Sequence, residues 1–263
     1  MSSLLEIASR KFNTLKRRTE RFLAPKIGKD MIKKQPVLRL GNEYSFCYVP
    51  QNLLHKNSVV YSFGAGEDIS TDIEIAKTFA CPVRIFDPTP RALTHFQNLI
   101  EKTKKGKKMN IENGKRFYEV DTKTLPLLNF YSVGLWNEDT KVKFFAPKNP
   151  QHVSYSITNL QQTEEYIEVE VKKITTLMKE FANDKIDYLK MDIEGAEYKV
   201  LDSFFIEKPN ISSLYIEFHY PAELSFRQGA QKIKDYLIKL TTLGYDIVCK
   251  ENERNFLLIK VNN

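Results

Sequence analysis

From residue 58 onward the hydrophobic pattern switches repeatedly between two periods, and most switches fall at a glycine or a proline. "SVVYSF" (58–63) is a short β-branched and aromatic run stopped by Gly64, and it reads as a buried strand. "DISTDIEIAKTFA" (68–80) then places Ile69, Ile73, Ala76, Phe79 and Ala80 at helical spacing. "VRIFD" (83–87) is a second strand, and "PRALTHFQNLIEK" (90–102) a second helix with Pro90 near its start. The lysine-rich "KTKKGKKMNIENGK" reads as an exposed connection. "FYSVGLW" (130–136) and "KVKFFAP" (141–147) flank "NEDT", which predicts a third strand running through a hairpin.

The second half repeats the rhythm. "YIEVEVKKI" (166–174) alternates strictly and predicts a strand exposed on one face. "IDYLKMD" (186–192) is a strand followed by a helix from about Ala196, with Val200, Leu201 and Phe204 on one side. "SSLYIEFH" (212–219) is again a strand, and "RQGAQKIKDYLIKLTTLG" (227–244) a helix closed by Gly244. "YDIVCKE" and "NFLLIKV" are strands separated only by "NER", so they must pair antiparallel. Alternating strands and helices with short connections predict an α/β fold, its mainly parallel sheet covered on both faces.

Charge divides the chain in two. The net charge is +7 over 263 residues, yet residues 1–40 hold eleven Lys or Arg against Glu6, Glu20 and Asp30, a balance of +8, leaving −1 for residues 41–263. Pro25, Gly28 and Pro36 interrupt the pattern before residue 40, so a basic helical arm (1–40) is expected ahead of the main domain (41–263). Leu4, Ile7, Ala8, Phe12, Leu15, Phe22 and Leu23 give the arm an apolar side between its basic residues. Such an arm suits an anionic membrane surface or a nucleic acid, or packs on the domain with its lysines in water. No apolar run is long enough to span a bilayer, and "MSSLLEIASRKFNTLKRRTERF" has no secretory-signal core. The expected location is the cytoplasm, with a peripheral membrane contact allowed by the arm. Cys47, Cys81 and Cys249 are odd in number and widely spaced, so they read as buried hydrophobes rather than a disulfide or zinc framework.

Candidate chemistry gathers at the carboxyl ends of the predicted strands, where open parallel sheets bind ligands. In "SFGAGED", Gly64 and Gly66 let the backbone approach a ligand and turn its N–H groups outward. Asp87, 21 residues past Gly66 and followed by Pro88, ends the next strand, where an acid can bond both ribose hydroxyls of a nucleoside. A dinucleotide fits poorly. The third glycine of its fingerprint would fall on Ile69, and no Tyr-x-x-x-Lys pair occurs. S-adenosylmethionine fits better, because it has no pyrophosphate and its sulfonium accepts nearby carboxylates.

The series "VVYSFGAGEDIS", "FDPTPRALTHF", "GLWNEDTKVKFFAPKNPQHVSYSITNLQ", "IDYLKMDIEGAEYKVL" and "LYIEFH" resembles the FkbM family of S-adenosylmethionine-dependent methyltransferases over roughly residues 58–220. That resemblance implies the Rossmann-like class I methyltransferase fold, with seven strands and an antiparallel last strand. It also implies methylation of hydroxyl groups on sugars and natural products. By position, Ser62, Phe63, Gly64, Ala65, Gly66, Glu67 and Asp68 would hold the methionine part of the cofactor, Asp87 with Pro88 the ribose, and Gly134, Leu135 and Trp136 the adenine. Ser62 departs from the acid common at its position, and Glu67 or Asp68 is the substitute the loop offers.

"DIEGAE" brings Asp192, Glu194 and Glu197 around Gly195. Glu197 sits where it can cap a helix start, Glu194 divides between capping and a cofactor or substrate contact, and Asp192, still in the strand, is a catalytic candidate that emerges where the methyl group would be transferred. His219 is the candidate base, since an ordinary imidazole titrates near neutrality, and Glu217 shares its strand face. A divalent ion on Asp192 with Glu217 or His219 lacks any recognised ligand spacing, so no metal site is expected. Ser154, Ser156 and Asn159 in "HVSYSITN" offer polar groups to a glycan or other small polar substrate. The reading is an O-methyltransferase acting on a sugar hydroxyl. Its rivals are an RNA-directed methyltransferase that uses the arm, and a non-catalytic cofactor-binding scaffold.

Overall fold

The computed structural model describes residues 20, 22–111, 116–145 and 163–261. Strands β3 (Val60–Phe63), β4 (Val83–Phe86), β7 (Leu128–Tyr131), β11 (Tyr188–Met191), β12 (Ser213–Glu217), β13 (Tyr245–Lys250) and β14 (Asn255–Lys260) form one sheet in the order β13-β14-β12-β11-β3-β4-β7. The pairs from β7 across to β12 are parallel, whereas β14 lies between β12 and β13 and runs antiparallel to both. Every residue of β3 and β11 is buried, as expected for strands covered on both faces.

The pleat sorts these strands into two cores. Tyr61, Phe63, Phe86, Leu189 and Met191 face one layer, which includes α4 (Glu197–Glu207) and α5 (Phe226–Thr242). Val60, Val83, Ile85, Tyr188 and Tyr215 face the other, with α1 (Ser70–Phe79) and α2 (Pro90–Lys104). Thr89 caps α2 by accepting from Ala92 N at 3.4 Å, with Pro90 at the first position. Ser225 and Gln228 close a capping box on α5. Phe63, Phe86 and Tyr131 stack in series, with centroids 4.5 and 5.2 Å apart, which makes a stiff aromatic floor beneath the strand ends. Cys47 and Cys81 are buried free thiols.

Two features differ from the hydrophobic pattern. The hairpin expected around "NEDT" does not form: β10 (Tyr166–Lys172) lies between β8 (Gly134–Leu135) and β9 (Thr140–Phe145), parallel to the first and antiparallel to the second. The strict alternation of β10 gives it two good edges, and its register with β9 runs from Tyr166↔Phe145 to Val171↔Thr140. Before the predicted domain, β1 (Val37–Gly41) and β2 (Phe46–Pro50) make an antiparallel hairpin, so a strand crosses residue 40. Gly41 N donates to Glu74 of α1 at 2.7 Å, tying that hairpin to the domain. Of the arm, residues 1–19 and 21 lie outside the described residues, while Ile27 is buried and Lys33 N donates to Ile247 O.

Candidate active site

A cavity of about 600 Å³ opens at the carboxyl ends of β3, β4, β11 and β12, where parallel sheets of this kind place their ligands. On one side lies the loop after β3. Gly64 has φ 83° and Gly66 φ 53°, in the left-handed region that side chains disfavour. At Gly64 the reason for glycine is contact: an added Cβ would sit 1.7 Å from the backbone oxygen of Asp192. At Gly66 an added Cβ would meet nothing within 4 Å, so the loop there faces open space.

Asp87 holds this loop. Its Oδ2 accepts from Ala65 N at 3.0 Å and Gly66 N at 2.9 Å, while Oδ1 accepts from Thr89 N and Thr89 Oγ1 at 2.9 and 2.6 Å. A buried carboxylate with four donors is held in one orientation. Phe63, Ala65, Glu67, Asp68, Pro88, Gly134 and Leu135 also line the cavity. Glu67 pairs with Arg91 at 2.9 Å, and Asp68 accepts from Asn42 and from Ser70 N.

Two of the expected cofactor residues lie elsewhere. Ser62 is fully buried within β3, in register with Lys190, and does not line the cavity. Its side chain follows the pleat to the α1 face rather than to the strand end. Trp136 is also absent from the wall, because its N–H continues the small sheet by donating to Lys172 O at 3.0 Å.

The opposite side is the loop after β11. Glu197, fully buried at the first position of α4, accepts at Oε1 from Ile193 N (3.2 Å), Gly195 N (3.1 Å) and His219 Nδ1 (2.9 Å). Its bonds thus tie the loop before the helix to the histidine and reach no N–H of the first helical turn, so the cap expected from sequence is replaced by a loop brace. Glu194 takes a left-handed φ of 53°, a strained conformation for a non-glycine residue. Its Oε2 lies 3.5 Å from His219 Nε2. Asp192, Glu194, Glu217 and His219 all face the cavity.

These surroundings change what His219 can do. Burial alone would lower the pKa of the ring, but the bond to Glu197 and its charge, followed by Asp192 and Glu194, push it up to about 9. The near-neutral imidazole expected from sequence is thus replaced by one that holds its proton at pH 7. Burial, followed by the Asp192 charge, raises the Glu217 carboxyl. Glu217 is positioned by Asn255 Nδ2 at 3.1 Å and Arg254 Nη2 at 3.4 Å.

Several wall residues carry no sequence signal of their own. Lys190 is the foremost: it occupies the centre of a buried strand, donates to Gly64 O at 3.2 Å, and lies 4.0 Å from Asp192. Burial works against its charge, but Asp192 and then Asp72 of α1 overcome that and raise its pKa. Tyr44, Ser45 and Phe46 from the first hairpin, Phe144 from β9, and Glu251 to Asn255 at the last hairpin turn complete the rim, except Glu253, which faces away. The described wall thus has seven carboxylates, Glu67, Asp68, Asp87, Asp192, Glu194, Glu217 and Glu251, against Lys190, Arg254 and the His219 ring. Such a wall favours a cationic guest. Ser154, Ser156 and Asn159 lie outside the described residues.

Together, the strand order, the inserted antiparallel β14, and a glycine loop held by the acid of the next strand define a class I methyltransferase fold. The chain belongs to the FkbM methyltransferase family: the model of the methyltransferase FkbM domain matches residues 42–247. No match to a curated protein is found. Among solved structures, the chain is similar to the METTL16 MTase domain, at 9% identity and TM-score 0.42, with 81% of this chain and 62% of that one covered. It thus spans less than two thirds of that relative. It is also similar to a precorrin-6y C5,15-methyltransferase from Geobacter metallireducens, at 10% identity and TM-score 0.36, covering 91% of this chain and all of that one. Among the described residues, no helix is long and apolar enough to cross a membrane.

Proposed function

We propose that the chain is an S-adenosylmethionine-dependent O-methyltransferase acting on a sugar hydroxyl of a glycan or glycosylated metabolite. The observation that carries this reading is a single cavity with two unlike sides. One is a glycine loop open at Gly66 above the buried Asp87, and the other is the group Asp192, Glu217 and His219. S-adenosylmethionine fits the first side, since Asp87 uses its four acceptor positions in holding the glycine loop in shape for the cofactor, Gly134 and Leu135 suit an adenine, and the carboxylate-rich wall suits a sulfonium and an ammonium. When bound, it supplies an electrophilic methyl group.

The residues on the second side would manage the proton of the attacking hydroxyl. Glu217, whose raised proton affinity suits a base, would take the O–H proton of the hydroxyl as that oxygen accepts the methyl group. Asp192 orients the hydroxyl, with Lys190 behind it. His219 keeps its place through Glu197.

Calorimetry with S-adenosylmethionine and S-adenosylhomocysteine tests the cofactor. The intact protein should bind both, and Asp87→Ala should bind each about 10- to 100-fold more weakly, the worth of a hydrogen bond to a charged group. No binding by the intact protein, or equal binding by a folded Asp87→Ala variant, would refute it. Mass spectrometry of glycans incubated with enzyme and cofactor should find a methylated product, and Glu217→Gln should lose turnover while keeping cofactor affinity.

A further inference from the structure

We propose that Asp192, Glu194 and His219 form a divalent-cation site of the oxygen-rich, single-imidazole kind that suits Mn²⁺ or Mg²⁺. One carboxylate oxygen from each acid and one ring nitrogen of His219 all lie within 4.8 Å of one another. Ligand atoms about 2.1–2.3 Å from a shared ion stand roughly 3–4.5 Å apart, so three such atoms can meet one ion with small side-chain adjustments. Two carboxylates and one imidazole select a harder cation than the thiolate or multi-histidine sets that favour zinc or copper.

A second observation, independent of this spacing, lies behind the ring. His219 Nδ1 donates to Glu197 at 2.9 Å, and Glu197 is fully buried. That bond fixes the ring orientation and turns Nε2 towards Glu194. A carboxylate that holds the far nitrogen of a histidine is the usual partner of a metal-bound imidazole, because it sets the tautomer and makes the ring a stronger donor. The second oxygen of Glu197 is buried and has no hydrogen-bond partner among the described residues. A buried carboxylate left half-satisfied calls for positive charge close by. An ion at Nε2 of the ring that Glu197 holds would supply it.

The role of the ion rests on the methyl-transfer reading. Because Asp192, Glu194 and His219 line the cavity, an ion they held would be open to the oxygens of a vicinal diol there. The hydroxyl to be methylated would then be acidified before Glu217 takes its proton.

The test uses the full chain, freed of metal with a chelator and titrated with Mn²⁺ by electron paramagnetic resonance, without cofactor or substrate. One saturable Mn²⁺ per chain is expected. Asp192→Asn and His219→Ala should each weaken it at least tenfold, and Glu197→Gln about 10- to 100-fold although Glu197 touches no ion. Circular dichroism confirms that each variant is folded. No saturable Mn²⁺ site in the intact protein, or unchanged affinity in folded Asp192→Asn and His219→Ala, would overturn the proposal and leave His219 as an imidazolium bridging two acids. Calorimetry of S-adenosylmethionine on the same chelated sample separates the two readings. Cofactor binding without an Mn²⁺ site sinks only the cation, whereas an Mn²⁺ site without cofactor binding sinks only the methyl donor.

Discussion

Replacing Gly64 and Gly66 separately by alanine should give two very different proteins, although both glycines have left-handed backbones and lie two residues apart. The left-handed conformation costs an alanine about 1–2 kcal/mol at either position. At Gly66 that is the whole effect, since the new methyl meets nothing within 4 Å. At Gly64 the methyl would lie 1.7 Å from the Asp192 oxygen, which is backbone and cannot swing aside. Strand β11 must then move relative to β3, and overpacking of this sort adds about 1–3 kcal/mol. For a domain of this size each kcal/mol lowers Tm by about 2–4 °C. Gly64→Ala should therefore melt roughly 4–20 °C below the wild type, and Gly66→Ala only roughly 2–8 °C below it. Thermal melts with urea titrations on both variants decide the matter. Equal losses, or a milder loss at Gly64, would refute the view that contact with Asp192 rather than backbone angle dictates that glycine.

Two further predictions concern charge. Lys190→Met should destabilise the fold by about 3–5 kcal/mol by stranding the buried Asp72 beside a half-buried Asp192, and Lys190→Met with Asp72→Asn should recover part of that loss in urea titrations. Failure of the second change to help would mean that Asp72 is not what the lysine neutralises. On the acid side, burial would raise Asp139 and Glu207. The donors Lys173 N and Thr176 Oγ1 overcome this for Asp139, Lys173 Nζ and Thr175 Oγ1 for Glu207, and both acids end lowered. A lowered folded pKa gives stability that is present above the unfolded value and lost as pH falls through the folded one. Urea midpoints should therefore drop below about pH 4, and less steeply in Asp139→Asn. An unchanged slope in that variant would rule out the contribution of Asp139.

What the sequence made legible was what one segment can encode alone. β3, β4, β11, β12 and the final antiparallel pair are evident because each is a short apolar run closed by its own glycine, proline or acid. Gly64, Gly66 and Asp87 follow from those strand ends. Lys190 could not be read this way. A lysine inside "YLKM" looks like an outward residue, and only the side-by-side register with Ser62 and the arrival of Asp72 from α1 make a buried cation tolerable there. His219 was visible, but its proton affinity was not, since that depends on Glu197 two elements earlier. The hairpin around "NEDT" failed for a related reason: the better partner for β9 lies beyond residue 162 and wins on register length.

The insertion of β14 between β12 and β13 has a consequence for the order of events in the cell. Strand β12 carries Glu217, yet its neighbour on that side, β14, comes latest in chain order among the strands of this sheet, and Asn255 at the start of β14 is what holds the Glu217 carboxylate. While the ribosome is still adding residues 255–260, β12 is an open edge and the cavity lacks a wall. The glycine loop and Asp87 can be in place early. The half of the cavity that Glu217 lines is completed only after the chain has passed Lys260, well after the residues of the glycine loop have been made.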